Sequence, residues 1–390
     1  MKHSRSSGSS FDVLNFLKGS ILQFILIGAI VYGAYLLFLN TQANLRATGI
    51  ESGFAFLGRE AGLPIGDHLI EYNPTNSYGR AFLVGITNTL FVAVIAIFFS
   101  TILGVIVGIS RVSKNWLLSK TAAIYVETLR NIPLLLTLLF IYFVVLKSLP
   151  SVKTPLIAFD GIFLTNRGLF VPKPIAEQGF TMAFFITFVV ATLAVVFIRW
   201  AKQQKELTGK TIQAIPIAFL GTLIAAFIIF WAHGFPVSWK HPELVGFNFK
   251  GGIAMKPEFC ALLIGLVLYT AAYIGENVRS GIESVHAGQL EASNALGVPT
   301  LVTMRKILLP QALRVTIPST TNDYASLVKN SSLAVAIGYP DMVSVGGTIL
   351  GQNGQAIEII ALWMAVYLTI NIIISTLMNW LNSHIQIVER

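Results

Sequence analysis

The chain has 390 residues, of which 54% are hydrophobic and only 12% are charged. Soluble domains carry about 25% charged residues, so this composition excludes an ordinary water-soluble fold and indicates a membrane protein. The single cysteine, Cys260, excludes a disulfide framework and a cysteine-based metal site. The net charge is +9, but the basic residues lie between apolar runs, which favours membrane topology over nucleic-acid binding.

Eight apolar runs approach or exceed the length of about 20 residues that a membrane-spanning helix needs. The seventh contains Pro318, Asp323 and Lys329, so we expect it to be broken or only partly inserted, against protein or a water-filled cavity. The pattern predicts an all-α fold, a polytopic membrane helical bundle. In chain order the runs are residues 21–39, 83–110, 121–146, 180–200, 212–233, 259–277, 315–338 and 357–381.

Lysine and arginine are more frequent between alternate runs, on the side that includes the amino terminus. The positive-inside rule makes this side cytoplasmic, and eight spans return the carboxyl terminus to it. The first run is longer than a secretory signal core of about 7–15 residues and lacks a clear cleavage site, so we interpret it as a retained anchor. The Ser-rich, basic residues 1–10 are expected to form a disordered cytoplasmic tail.

Three segments on the outer side are rich in Pro and Gly turn signals: residues 42–80, 150–179 and 234–258. Each is too short for an independent domain. We expect them to form a lid or a docking surface.

The segment between the sixth and seventh runs predicts a helix, a sharp stop and a second short helix on the cytoplasmic side. Residues 284–296 are mostly helix formers; Gly297 suits the left-handed position past a helix end, and Pro299 follows it. Thr300 can cap the next helix, and Pro310 is expected to end it. The first helix carries an apolar stripe of Val285, Ala292, Ala295 and Leu296.

An amphipathic helix–turn–helix at a membrane face has three interpretations. It can lie on lipid headgroups, pack on the protein's own spans, or insert into a groove of a soluble partner. The lipid interpretation is weakened because residues 284–296 contain no Lys or Arg. Physical reasoning alone leaves the other two open.

A sequence resemblance bears on this choice. The spacing Glu291-Ala292-Ser293, Gly297, Ile307 and Leu309-Pro310 resembles the EAA motif of ABC importer permeases, with Ser293 in place of the usual second alanine. In that family this loop is the coupling helix, which docks into a groove on the ATP-binding subunit. The resemblance therefore implies an ATPase-coupling site formed by Glu291, Ala292, Ser293, Leu296, Gly297, Ile307 and Pro310.

Four further segments are similar to polar amino-acid permeases: residues 85–90, 125–135, 271–282 and 329–333. An extra first span and a two-span insert at 150–257 make the chain resemble the larger permease of general L-amino-acid transporters of proteobacteria. The chain departs from the pattern at Asn131, where Gly is usual, and at Asn330, where Asp is usual. The implied organisation is a leading tail, span and periplasmic segment (1–82), a type I ABC transmembrane domain (83–381) and a cytoplasmic tail (382–390).

The resemblance also implies the function and the partners. We expect a permease subunit that imports L-amino acids across the inner membrane with a dimer of ATP-binding subunits, a second, paralogous permease and a periplasmic amino-acid-binding protein. The chain itself binds no cofactor, since ATP and Mg²⁺ belong to the partner ATPase. A secondary, ion-coupled transporter and a non-transport membrane scaffold are the alternatives.

Charged residues near or inside the spans, together with the polar residues beside them, are candidates for a substrate path, because charges there are costly and usually face a cavity or a partner charge. The candidates are Glu276, Asn322, Asp323, Lys329, Asn330 and Ser331. Glu276 equally suits an ion pair with Arg279, and Glu127 suits a structural pair with Arg130, because both pairs are three residues apart.

Gly209-Lys210-Thr211 resembles the end of a phosphate-binding loop, but the pattern requires a glycine where Gln204 stands. The sequence also has no metalloprotease motif and no nucleophile elbow. These observations predict that the chain is not itself an enzyme and that ATP is hydrolysed by a separate subunit.

Overall fold

A computed structural model describes residues 9–47, 53–209 and 213–385 of the chain. Most of the predicted amino-terminal tail lies outside these residues, as do Lys210, Thr211 and the end of the tail predicted at 382–390. The helices are α1 (Ser9–Ala47), α2 (Tyr78–Arg111), α3 (Trp116–Asn131), α4 (Leu134–Leu139), α5 (Phe180–Thr208), α6 (Ala214–Ala232), α7 (Pro257–Glu283), α8 (Ala287–Ala295), α9 (Thr300–Thr303), α10 (Leu309–Asn330), α11 (Met342–Asn353) and α12 (Ala356–Ile385).

Membrane-spanning helices dominate the described residues. Six helices are long and apolar enough to cross a bilayer, and the number rises to eight if two bent helix pairs each form one span. The predicted all-α polytopic bundle is therefore confirmed. α12 continues to Ile385, so the residues predicted to begin the carboxyl-terminal tail are helical.

The third apolar run is not one helix, contrary to the prediction for residues 121–146. α3 ends at Asn131 and α4 begins at Leu134, with extended backbone at Pro133 (ψ 135°). Proline lacks an N–H and disfavours helical backbone at the residue before it, here Ile132. After α4, residues 140–146 continue as a wider π-helical turn.

The seventh run is broken, but not at its proline. Pro318 lies inside α10, where the Ser319 hydroxyl donates to the Val315 carbonyl (3.3 Å) next to the weakened helical ladder. The break comes after a 3₁₀ turn, at Gly338, whose φ of 78° ends the helix. Asp341 then caps α11 by accepting from the Ser344 N–H (2.8 Å), and the chain bends by 55°.

One compact unit contains residues up to Arg130 together with residues from Leu266 onward. In it α11 packs on α2 and α10 packs on α12. The segment before α2, which was predicted to lie on the outer side, is part of the core of this unit rather than a free lid, because Phe56, Leu63 and Tyr72 are buried there beside Phe82 and Met342.

α2 and α7 approach closely within the same unit. A Cβ on Gly104 would lie 2.6 Å from the Ile274 Cβ, and one on Gly108 would lie 2.5 Å from the Val278 Cβ. Small residues at a four-residue interval allow helix backbones to meet in this way in membranes. The sequence Gly104-Val-Ile-Val-Gly108 therefore fixes the α2–α7 contact.

The second compact unit contains residues 131–265 and includes short strands that the sequence analysis did not predict. The strands are β1 (Leu156–Phe159), β2 (Ile162–Thr165), β3 (Gly168–Val171), β4 (Lys173–Ala176), β5 (Val237–Lys240), β6 (Glu243–Val245), β7 (Asn248–Lys250) and β8 (Ile253–Met255). All described pairings are antiparallel, in a sheet of order β1-β2-β3-β8 and in two ribbons, β4–β5 and β6–β7.

Two segments of this unit that were predicted to lie on the outer side share a small core. Val152, Phe170 and Phe249 are buried together, and the Phe163 and Phe249 rings stack at 4.5 Å. β3 pairs with β8 and β4 pairs with β5, so the segments predicted separately as 150–179 and 234–258 form joint sheets. Helices α5 and α6, which pack on each other, lie between these two segments in the sequence.

Candidate functional site

The loop between α7 and α10 begins with helix α8, and the predicted stop at Gly297 is confirmed. Gly297 has a φ of 68°. The Val298 N–H donates to the Ser293 carbonyl and the Gly297 N–H donates to the Asn294 carbonyl, both at 3.0 Å. This pair of bonds is the Schellman motif, which requires the left-handed backbone that glycine adopts without strain.

The prediction that Pro310 ends the second helix is wrong. α9 begins at Thr300, just after Pro299, and the chain stays helical through a π turn at Met304–Leu308 into α10, where Pro310 occupies the first turn. A proline ring clashes with the carbonyl four residues earlier, here that of Lys306, and this residue lies within the wider π turn. The wider turn therefore accommodates the proline without ending the helix.

A buried hydroxyl pair joins α8 to α9. The Ser293 Oγ and Thr303 Oγ1 atoms are 2.5 Å apart, and both residues are buried. The Thr303 hydroxyl also lies 3.4 Å from the Pro299 carbonyl. Ser293 is the position at which the EAA pattern usually has alanine, so its hydroxyl is a feature of this chain with an observed partner.

The apolar stripe predicted on the first helix is divided between two environments. Val285 is buried with Leu308 and Ala312, whereas Ala292 and Ala295 are exposed. Leu296, the last member of the stripe, is 81% exposed, and Leu301 across the turn is 79% exposed. The loop thus packs on its own chain through Val285 and presents two leucines outward around Gly297.

The other predicted coupling residues are arranged along the same loop. Glu291 is exposed, whereas Ile307 and Pro310 are partly buried. The structure therefore places an exposed group (Glu291, Ala292, Leu296, Gly297) around a buried Ser293. Their role in coupling stays a prediction.

A polar cleft of about 290 Å³ lies between one face of α7 and one face of α10. The α10 residues recur at helical spacing, so they share a face. Asp323 and Asn330 are the two predicted path residues in it. The lining is Tyr269, Thr270, Tyr273, Asp323, Ser326, Leu327 and Asn330.

Both signs of charge are found at this cleft. The Asp323 carboxylate accepts from the Asn277 side-chain amide (2.6 Å). The Arg130 guanidinium lies 5.2 Å from the centre of the Tyr273 ring, and the Tyr269 and Tyr273 hydroxyls are 3.0 Å apart. A cationic and an anionic group are thus available near neutral hydroxyls.

Glu276 belongs to an ion-pair network rather than to the cleft lining. It contacts Arg111 of α2 and Arg279 of α7, and Arg279 also contacts Glu283. The predicted Glu276–Arg279 pair is therefore present. The predicted Glu127–Arg130 pair is wrong: Glu127 lies 4.0 Å from Arg111 instead.

The remaining path candidates lie off the cleft. Asn322 and Lys329 are exposed on other faces of α10, and the buried Ser331 hydroxyl donates to the Val328 carbonyl (2.7 Å). The sequence analysis missed Tyr269 and Tyr273. Their four-residue spacing, opposite a polar face at 323, 326 and 330, is the signal that could have found them.

These features are typical of one class of membrane protein. A multi-pass helical membrane protein with a polar cleft between its spans and an exposed helix–turn–helix after one of them is organised as a membrane transport subunit. Residues 206–387 match the family described as the inner membrane component of binding-protein-dependent transport systems.

Relatives that match almost the whole chain make this assignment specific. YhdX of Escherichia coli strain K12 is 46% identical over 394 residues, covering 100% of both chains. The general L-amino acid transport system permease protein AapQ of Rhizobium johnstonii is 44% identical, covering 94% of this chain and 90% of that protein. The chain belongs to the family of amino-acid ABC transporter permeases. A crystal structure of an amino acid ABC transporter with histidines aligns at a TM-score of 0.46 and 18% identity, covering 79% of this chain and 95% of that one.

Proposed function

We propose that this chain translocates L-amino acids across the inner membrane and is driven by a separate ATPase that docks on the α8–α9 loop. The observation that carries the proposal is the exposure of Leu296 and Leu301, at 81% and 79%, on a loop whose backbone is fixed by the Gly297 motif. Exposed apolar side chains on a rigid loop suit a groove in a soluble partner.

The proposed orientation places both termini and the loop in the cytoplasm. It is supported by the excess of Lys and Arg between alternate apolar runs. In this orientation α7 leads from the outer side at Pro257 to the loop side at Glu283.

The proposed assembly contains two ATP-binding subunits, a paralogous second permease and a periplasmic amino-acid-binding protein. ATP and Mg²⁺ bind the ATPase subunits, and this chain hydrolyses no ATP. Closure of the ATPase dimer moves the loop residues Glu291–Pro310, and the spans pass from inward-open to outward-open.

The proposed substrate path runs through the polar cleft. A free amino acid carries an ammonium and a carboxylate. Asp323 can attract the ammonium, Arg130 can attract the carboxylate, and the tyrosine hydroxyls and Asn330 can donate or accept hydrogen bonds. Glu276, Asn322, Lys329 and Ser331 stay predictions for this path, since they do not line the cleft.

Reconstitution with the candidate partners tests this function. ATP hydrolysis and uptake are measured with a panel of L-amino acids and the solute-binding protein. We expect stimulation of ATP hydrolysis by the loaded binding protein. Uptake driven by an ion gradient without ATP would instead establish a secondary transporter.

A pair of leucine variants tests the docking loop. Leu296→Asp and Leu301→Asp should each weaken ATPase-subunit retention about 10-fold or more, because burying a leucine contributes about 1.5–3 kcal/mol. Leu207→Asp is the matched control, since Leu207 at the end of α5 is also 79% exposed. Normal retention of the ATPase by both loop variants would refute the docking surface.

A further inference from the structure

The β4–β5 ribbon places two lysines directly opposite each other. Lys173 and Lys240 are partners in its antiparallel register, and both are exposed. Like charges in directly opposed positions destabilise a sheet, in contrast to opposite charges. The neighbouring β6–β7 ribbon shows the stabilising arrangement, with Glu243 opposite Lys250.

No carboxylate within the described parts of the chain forms an ion pair with either lysine. The two side chains instead border an open cavity of about 520 Å³, which Ile175, Gly251 and Gly252 also line. Because directly opposed residues share a face, Lys173, Lys240 and the exposed Ile175 lie on one side of the ribbon. This face is positively charged, uncompensated and partly apolar.

The position of the pair indicates what could bind it. The ribbon is directly connected to two candidate spans, since β4 ends four residues before α5 and β5 begins five residues after α6. The innermost pair is Ala176–Val237, and the lysines are three residues further along, about 10 Å of strand. The headgroup layer is about 5–7 Å thick on each side of the hydrocarbon core, so the lysines can reach past it.

We infer that the Lys173–Lys240 face is a docking surface for an acidic patch on a soluble protein on the outer side of the membrane, and that this protein is the solute-binding protein. Carboxylates on that partner would neutralise the two ammonium groups, and Ile175 would supply an apolar contact. The inference rests on the proposed function, because it names the surface that receives the loaded binding protein. It also gives the insert 150–257 a role.

The test uses the full permease–ATPase complex in nanodiscs and a solute-binding protein that stimulates its ATP hydrolysis. The double variant Lys173→Gln/Lys240→Gln should raise the half-saturating concentration of loaded binding protein about 2–30-fold, since each exposed ion pair contributes a modest amount. Its response to added salt should also be smaller than that of the wild type. Lys250→Gln is the matched control, because Lys250 already faces Glu243.

Three results of this experiment would overturn the docking surface. An unchanged half-saturating concentration in the double variant, or an equal rise with Lys250→Gln, would overturn the docking surface while the stimulated wild type leaves the proposed function intact. Loss of anionic-lipid retention by the double variant, with unchanged stimulation, would assign the lysines to lipid headgroups instead. A wild-type complex that no solute-binding protein stimulates would overturn the proposed function and this inference with it.

Discussion

Removal of the hydroxyl pair between α8 and α9 should loosen the loop, and the two single variants should differ. The Ser293 hydroxyl bonds only to Thr303 among the contacts observed, whereas the Thr303 hydroxyl also lies near the Pro299 carbonyl. Thr303→Val keeps the side-chain shape and leaves a buried serine hydroxyl without its partner, which costs about 1–3 kcal/mol. Ser293→Ala leaves Thr303 with its second acceptor, so its cost is that of an ordinary hydrogen bond, about 0.5–1.5 kcal/mol.

Amide hydrogen exchange of the α8 peptide, Ala287–Ala295, measures this difference in the purified complex. Exchange through local opening accelerates with the loss of local stability, so we expect about 5–150-fold faster exchange for Thr303→Val. The corresponding expectation for Ser293→Ala is about 2–12-fold. The double variant should accelerate exchange by less than the product of the two single-variant accelerations, because neither hydroxyl of the pair is left unpaired.

Thr300→Val is the control, since Thr300 is exposed at the start of α9 and its substitution should leave α8 exchange unchanged. If Thr303→Val behaves like this control, or accelerates exchange less than Ser293→Ala, the hydroxyl pair does not hold the two helices together.

Three further substitutions follow from the packing. Gly297→Val places a β-branched residue at a φ of 68°, so the stimulation of ATP hydrolysis by the loaded binding protein should fall with expression unchanged. Gly347→Val is the control, because a Cβ at that position meets open space. Normal stimulation in Gly297→Val would contradict the need for a left-handed glycine in the Schellman motif. Gly108→Leu would clash with Val278 and the Gly275 carbonyl, so the yield of folded protein should fall several-fold. Gly221→Leu is the control, because its side chain meets open space and the variant should fold. Equal yields of the two variants would refute the close α2–α7 contact. Asp323→Asn should lower amino-acid uptake at least about 10-fold by removing one charge-assisted contact. Thr321→Ala is the control, since Thr321 lies on the same helix but does not line the cleft; equal uptake by both variants would argue against the path.

The features that sequence reasoning predicted are those with a strong local cause. Apolar runs reveal spans because the bilayer requires about 20 apolar residues. Among the described residues, six of the eight runs coincide with single helices and the other two coincide with bent helix pairs. Gly297 was predictable because a left-handed helix end favours glycine over other residues.

Proline predicted helix ends less reliably than glycine, because its effect depends on the conformation of the neighbouring backbone. Pro133 ends α3 and starts a new helix, yet Pro310 and Pro318 lie inside helical segments. At Pro310 the preceding π turn provides the space, and no local propensity rule signals that turn. The short strands were missed for two reasons. β3–β8 and β4–β5 join segments that are far apart in the sequence, and no local pattern reports such pairing. The other pairs are hairpins with two-residue loops, such as Asp160-Gly161 between β1 and β2, and this local turn signal was not used in the prediction.

The cleft shows why charged residues in the sequence do not by themselves identify the lining of the proposed substrate path. Asp323 and Lys329 are both unusual in a span, but they are six residues apart and therefore face different directions on α10. Of these two residues, only Asp323 lies in the cleft with Tyr269 and Tyr273. The tyrosines are uncharged, and the sequence analysis did not predict them as path residues. From Tyr273 the same α7 helix continues unbroken to Glu283, about 15 Å away, and α8 begins four residues later. Since this stretch of α7 contains no proline or break, and since Arg111 and Gly108 of α2 contact it, a displacement of the loop can reach the cleft as a rigid-body movement of one helix.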